Sequence, residues 1–220
     1  RSQPLVVALS SYPVWPHRQG GELRAFHLLS GVAEAGARVK VLSLTTDPDL
    51  AGTRRVTPGM DEETVLISPR QSAAEHRMRL VSTTHAITDV AASLLWSATP
   101  AFAEAAGRDL PNASLAVLVQ PYLATALSAL APEGLPVIYD AHNHESTLKG
   151  ALLGATRGGR WLARAAAETE RVAVALASEI LTTTSEDAEL FVSLDGVEPD
   201  RLTLIENGAT VAGTPFAEGA

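Results

Sequence analysis

Two short apolar runs close to the start of the chain, Leu5-Val6-Val7-Ala8-Leu9 and Val39-Lys40-Val41-Leu42-Ser43-Leu44, constrain the fold more than any other feature. The first is apolar without interruption, so it needs cover on both faces, which a parallel strand receives from helices above and below the sheet. Between the runs, residues 22–36 place Ala25, Phe26, Leu29, Val32, Ala33 and Gly36 on one helical stripe, opposite Arg24, His27, Gly31 and Glu34. Strand, helix and strand in this order predict a right-handed βαβ unit.

The pattern recurs along the chain. A third strand is expected over Thr64 to Ser68, and residues 72–109 hold no β-rich run, reading instead as two or three helices interrupted before Pro100. Leu115 to Val119 reads as a strand, Tyr122 to Leu130 as a helix, and Pro136 to Tyr139 as the strand that follows the Gly134 turn. A helix from about Gly159 to Ala177, a strand at Ile180 to Thr183, a helix with Ser185 as its N-cap and a last strand at Leu202 to Ile205 complete the series. The expected fold is α/β, a doubly wound, mostly parallel, Rossmann-like sheet forming one domain over residues 1–209. Thr210 onward, with Gly213, Pro215 and Gly219, has the composition of a linker or tail over residues 210–220.

Composition narrows the function. A chain of 220 residues with 46% hydrophobic side chains has enough apolar material for one well-packed core. Its 25 acidic residues against 17 basic ones give a net charge of −8, which repels a phosphate backbone and argues against nucleic acid as a partner. No cysteine is present, so neither disulfides nor thiolate metal sites are available, a composition that fits a cytoplasmic location. No apolar run approaches the roughly 20 residues that span a bilayer. The chain opens on Arg1 while Met60 and Met78 are internal, so it is expected to be a piece of a longer protein.

In an open parallel sheet, ligands sit outside the carboxyl ends of the strands, where strand order reverses. The loop after the first strand runs from Ser10 to Gly21 and ends in Gly20-Gly21 directly before a helix. It matches neither the G-x-G-x-x-G fingerprint nor a Walker A loop, so two readings stay open for the glycine pair: a tight turn, or a close approach of backbone N–H groups to a phosphate. The loop after the fifth strand, Asp140-Ala141-His142-Asn143-His144-Glu145, concentrates titratable groups at the same edge. It reads either as a site or as a solvated, helix-capping loop. Its H-x-H-E string lacks a converging partner cluster, and no metal is expected there.

Four segments, in order, resemble the N-terminal half of a two-domain GT-B-fold glycosyltransferase, in particular the retaining family 4 enzymes. They are Pro16 through Arg24; Pro136 through Glu145, a strand running into Asp-Ala-His-Asn-x-Glu; Glu170 through Asp187; and Ile205-Glu206-Asn207-Gly208. The chain departs from the family at Ala177-Ser178, where Ala-Asp is common, and at Glu206, where proline is common. The resemblance implies transfer of a sugar from a nucleotide-sugar donor to an unidentified acceptor, with no separate cofactor. Gly20, Gly21 and Arg24 would contact the donor diphosphate or the acceptor, and His142, at the family's histidine position, would be the catalytic residue that bonds a donor-sugar hydroxyl. Asp140, Asn143, Glu145, Asn207 and Gly208 would orient loops or touch substrate. The donor is held mostly by a C-terminal domain absent from these residues, so this stretch alone is expected to be inactive.

A GT-B-fold nucleotide-sugar epimerase and a noncatalytic α/β binding module are the alternatives. One further stripe, Arg157, Arg160, Trp161 and Arg164, reads either as a solvated helix face or as a peripheral contact with anionic lipid.

Overall fold

The computed structural model describes residues 3–82 and 87–208, with the backbone alone at 81 and 82. The expected linker or tail at 210–220 and part of the expected helical stretch, residues 83–86, lie outside the described residues. Eight strands are described: β1 (Leu5–Ser10), β2 (Arg38–Thr45), β3 (Gly52–Thr57), β4 (Met60–Leu66), β5 (Leu115–Val119), β6 (Val137–Asp140), β7 (Glu179–Thr182) and β8 (Leu202–Leu204). The helices are α1 (Gly20–Glu34), α2 (Pro69–Ser82), α3 (Thr88–Leu95), α4 (Pro100–Asp109), α5 (Ala124–Leu130), α6 (Glu145–Leu153), α7 (Arg157–Leu176) and α8 (Ser185–Asp195).

The strands form one sheet in the order β3-β4-β2-β1-β5-β6-β7-β8, parallel throughout except that β3 runs antiparallel to β4. The first apolar run accounts for the central position of β1. Val7 and Leu9 enter the core of one face with Leu42, Phe102 and Leu118, while Val6 and Ala8 enter the other with Ala25, Leu29 and Val117. The order reverses at β1, which has β2 on one side and β5 on the other. The crevice outside their carboxyl ends is therefore where such a sheet binds ligand.

The structure corrects several expectations. The third strand of the sequence reading begins at Met60 instead of Thr64, and it is preceded by β3, joined to it by a turn at Pro58-Gly59 with Gly59 at φ +83°. Both strands escape an apolar template because β3 is a polar edge strand and β4 carries Asp61-Glu62-Glu63. Helix α6 is also new relative to the sequence reading. The cap of α8 is Thr184, whose hydroxyl accepts from the Asp187 amide at 3.0 Å, and Ser185 is the first helical residue. Phe26, expected in the core stripe of α1, is half-buried against the rings of Trp15 and His17. Arg24, expected on the solvent side, is buried because it has a carboxylate to meet inside.

Candidate functional site

Three loops converge at the switch point. The first, after β1, is held down by a buried carboxylate. Glu62, fully buried on β4, accepts from the Val14 amide at 2.8 Å, the Trp15 amide at 3.2 Å and the Ser43 hydroxyl at 2.8 Å. Burial pushes its pKa up, and the three donors oppose that shift only in part. So fixed, the loop delivers Ser11 and Tyr12 to the start of α1.

Helix α1 opens on Gly20 and Gly21, whose amides have no carbonyl one turn back within the helix. The Glu22 carboxylate folds over this end and accepts from the amides of Arg18 and Gln19, the latter at 3.1 Å. The two glycines are not equivalent. A methyl group on Gly20 would meet nothing within 4 Å, whereas one on Gly21 would lie 3.0 Å from both the His142 Nδ1 and the Tyr12 hydroxyl oxygen. Gly21 is needed for space, since a side chain there would press on both groups.

The second loop, after β6, carries His142. Asp140, fully buried at the end of β6, accepts at Oδ1 from Arg24 Nε at 3.0 Å and Nη2 at 2.8 Å, while its Oδ2 lies 3.0 Å from His142 Nε2. In the neutral ring this arrangement places the proton on Nε2, facing the carboxylate, and presents Nδ1 as an acceptor toward Gly21 and Tyr12. The backbone carbonyl of His142 is fixed in turn by the Thr183 hydroxyl at 3.0 Å. Arg24 uses its remaining nitrogen, Nη1, on the Ile205 carbonyl at 2.7 Å and the Asn207 Oδ1 at 3.2 Å.

The third loop follows β5. Gln120 sits there at φ +62°, ψ 168°, a conformation that costs a non-glycine residue roughly 1–3 kcal/mol. Its amide bonds the Asp140 carbonyl at 3.1 Å, and its Nε2 comes within 3.5 Å of His142 Nδ1.

These loops enclose two cavities, one on each side of the α1 N-terminus. One, of about 410 Å³, is lined by Ser11, Tyr12, Gly21, Glu22, Asp89 and Gln120 among others. The other, of about 470 Å³, is lined by Gly20, Arg24, His27, Ile205, Asn207 and Gly208 among others. A larger cavity, of about 620 Å³, opens at the opposite edge of the sheet, among charges that already pair, such as Lys40 with Glu63 at 2.8 Å and Arg108 with Glu63 at 2.7 Å. It is remote from the switch point.

The remaining residues of the Asp140–Glu145 stretch serve the loop's shape. Glu145, buried, accepts from the Tyr122 hydroxyl at 2.5 Å and the Asn143 side chain at 3.1 Å. His144, also buried, spans from Asp195 Oδ2 at 2.7 Å to Thr147 Oγ1 at 2.8 Å and lines neither cavity. Glu170 of α7 caps α6, accepting from the amides of Glu145 at 2.8 Å and Ser146 at 2.7 Å and from the Tyr139 hydroxyl at 3.0 Å. No group of three or more His, Cys, Asp or Glu among the described residues is arranged to hold a metal ion.

The structure thus brings Gly20, Gly21, Arg24, Asp140, His142, Asn207 and Gly208 to one crevice and leaves Asn143 and Glu145 as supports. Sequence reasoning passed over Tyr12, Glu22, Asp89 and Gln120. Tyr12 lay inside the quoted loop, and Gln120 directly follows an apolar strand, which is the one signal that marks it.

A family model described as "Glycosyl transferase 4-like domain" matches residues 19–208. The fold is similar to that of the sucrose-phosphate synthase of Thermosynechococcus elongatus, with a TM-score of 0.67 at 15% identity over 94% of this chain and 49% of that one. A second structure of that synthase gives a TM-score of 0.53 at 13% identity, covering 93% of this chain and 89% of the other. LpCGTa in complex with UDP gives a TM-score of 0.53 at 14% identity, over 93% of this chain and 54% of that one. The chain spans about half the length of the larger synthase chain and of LpCGTa. No curated protein sequence matches it. With the family's match running from the first turn of α1 to the end of the second cavity, the chain belongs to the glycosyl transferase 4-like domain family, a glycosyltransferase domain.

Proposed function

We propose that this chain is the acceptor-side half of a retaining glycosyltransferase that moves a sugar from a nucleotide-sugar donor to an acceptor hydroxyl. The observation that carries the reading is the Arg24–Asp140–His142 chain, which aims His142 Nδ1 at the seam between the two cavities. Preorganised polar groups at such a seam act on a transition state without reorganising first. In this reading the Tyr12 side of α1 takes the acceptor, and the Gly20 side, with Asn207 and Gly208, faces the donor. His142 Nδ1 bonds a hydroxyl of the donor sugar at the reaction centre, and the free amides of Gly20 and Gly21 meet the diphosphate. A donor-binding half, reached through residues 210–220, completes the cleft, so residues 1–208 alone transfer nothing.

The test is nucleotide release and product formation by the full-length protein with a panel of nucleotide sugars. His142→Ala is expected to lower kcat/KM by about 10²-fold or more. Unchanged turnover in that variant would sink the site assignment.

The exposed face of α7 adds a peripheral contact to this reading. Arg157, Arg160, Trp161 and Arg164 are all exposed, with Trp161 at 50%. A basic face bearing an aromatic ring suits the headgroup layer of an anionic bilayer. Sedimentation of the protein with phosphatidylserine vesicles but not phosphatidylcholine vesicles checks it.

A further inference from the structure

We infer that the cavity on the Tyr12 side of α1 takes an uncharged polyhydroxyl acceptor and rejects a phosphorylated one, an inference that rests on the acceptor-side reading above. Two helices point their N-terminal ends at this cavity, α1 through Gly21 and Glu22 and α3 through Thr88 and Asp89. Such ends ordinarily attract anions. Here each is already occupied by its own carboxylate. Glu22 accepts from the amides of Arg18 and Gln19, and Asp89 accepts at Oδ1 from the Val90 amide at 2.7 Å. Among the described residues no lysine or arginine lines the cavity. Lys149, the cation bonded to Asp89 at 2.5 Å, is buried outside that lining. A phosphate entering the cavity therefore meets two carboxylates with no cation to offset them.

The wall carries, in addition, unanswered hydroxyl groups. Ser11 is 4% exposed, and its hydroxyl oxygen, like that of Tyr12, is buried with no hydrogen-bond partner. Burial raises the Tyr12 phenol pKa well above its ordinary value, with Asp140 and Glu22 adding to the shift, so the group stays a donor. Buried polar atoms are rarely left unpaired. A ligand bearing several neutral hydroxyls supplies partners to Ser11, Tyr12 and the Gln120 amide, and accepts the acidic wall by donating to it.

Calorimetric titration and saturation-transfer NMR of the full-length protein with matched pairs test this: glucose and glucose 6-phosphate, fructose and fructose 6-phosphate, myo-inositol and inositol 1-phosphate. The neutral member is expected to bind about tenfold more tightly wherever a pair binds. Asp89→Asn and, separately, Glu22→Gln, which keeps a carbonyl oxygen for the helix cap, should each narrow that ratio by about threefold or more. Tyr12→Phe should weaken the neutral member by about fivefold and leave the ratio's sign unchanged. A phosphorylated member that binds as tightly as its neutral counterpart in any pair overturns the inference, and so does the absence of binding across all pairs. Transfer by the His142→Ala variant is read separately. If it persists while the neutral preference holds, the catalytic reading fails and the ligand class stands.

Discussion

At the scale of single residues, the two adjacent glycines have different work to do, and side-chain volume separates them. Gly20 faces open space, while a methyl at Gly21 would press on His142 Nδ1 and the Tyr12 hydroxyl at 3.0 Å each. Gly21→Ala is therefore expected to displace both groups and lower kcat/KM by about 10- to 100-fold, because a shift approaching one ångström at a reacting group costs on that order. Gly20→Ala should leave kcat/KM within about twofold of the parent, since it adds no contact and keeps the backbone amide. Steady-state kinetics of the two variants decide the matter, and equal losses would show that the pair acts through its backbone alone. The pair was visible in the sequence as a single unit. Its asymmetry was not, because it comes from a histidine more than a hundred residues further along the chain that the sheet brings alongside.

Among the elements, the most exacting is the loop that follows β1, and its anchor is Glu62 on β4. A carboxyl group whose pKa is raised by folding contributes most to stability below its unfolded pKa, where it is protonated in both states, and that contribution is lost as the pH rises through the folded value. Glu62 should therefore make the protein less stable on going from mildly acidic to neutral pH. Glu62→Gln, neutral throughout, should flatten this limb while giving up the Trp15 amide bond. Urea midpoints measured at intervals between about pH 4 and pH 8 check the slope, and an identical profile in the variant would remove Glu62 from the account. The same residue explains what remained unread in the sequence. Strands β1 and β2 were legible because their side chains are apolar on both faces. A run such as Asp61-Glu62-Glu63 hides a strand, since its burial is tolerated only through donors from Val14, Trp15 and Ser43 that no local window contains. Helix α6 was missed for a similar reason, its first turn being capped by Glu170 from α7. Within the site, His142, Asp140 and Gly21 carried a chemical signal of their own, whereas Tyr12, Asp89 and Gln120 matter through burial, cavity and backbone angle.

For the molecule as a whole, one guanidinium joins distant stretches of the chain. Arg24 reaches from α1 to Asp140 at the end of β6 and to Ile205 and Asn207 beyond β8. Asp140 is fully buried, so Arg24→Ala strands a charge in the interior and is expected to destabilise the fold by about 3–5 kcal/mol, measured from urea unfolding. Arg24→Lys keeps the charge but not the fork of donors, so it should recover only part of that loss. A variant as stable as the parent would show that water replaces the pair. The arrangement also has a mechanical meaning. The segment by which the polypeptide leaves this domain is moored to the same carboxylate that aims His142. Any pull or rotation transmitted through residues 205–207 arrives at the reaction centre after a single side chain. Opening and closing of a cleft formed against a following domain would then be felt directly as a change in the pointing of His142, with Arg24 as the tiller.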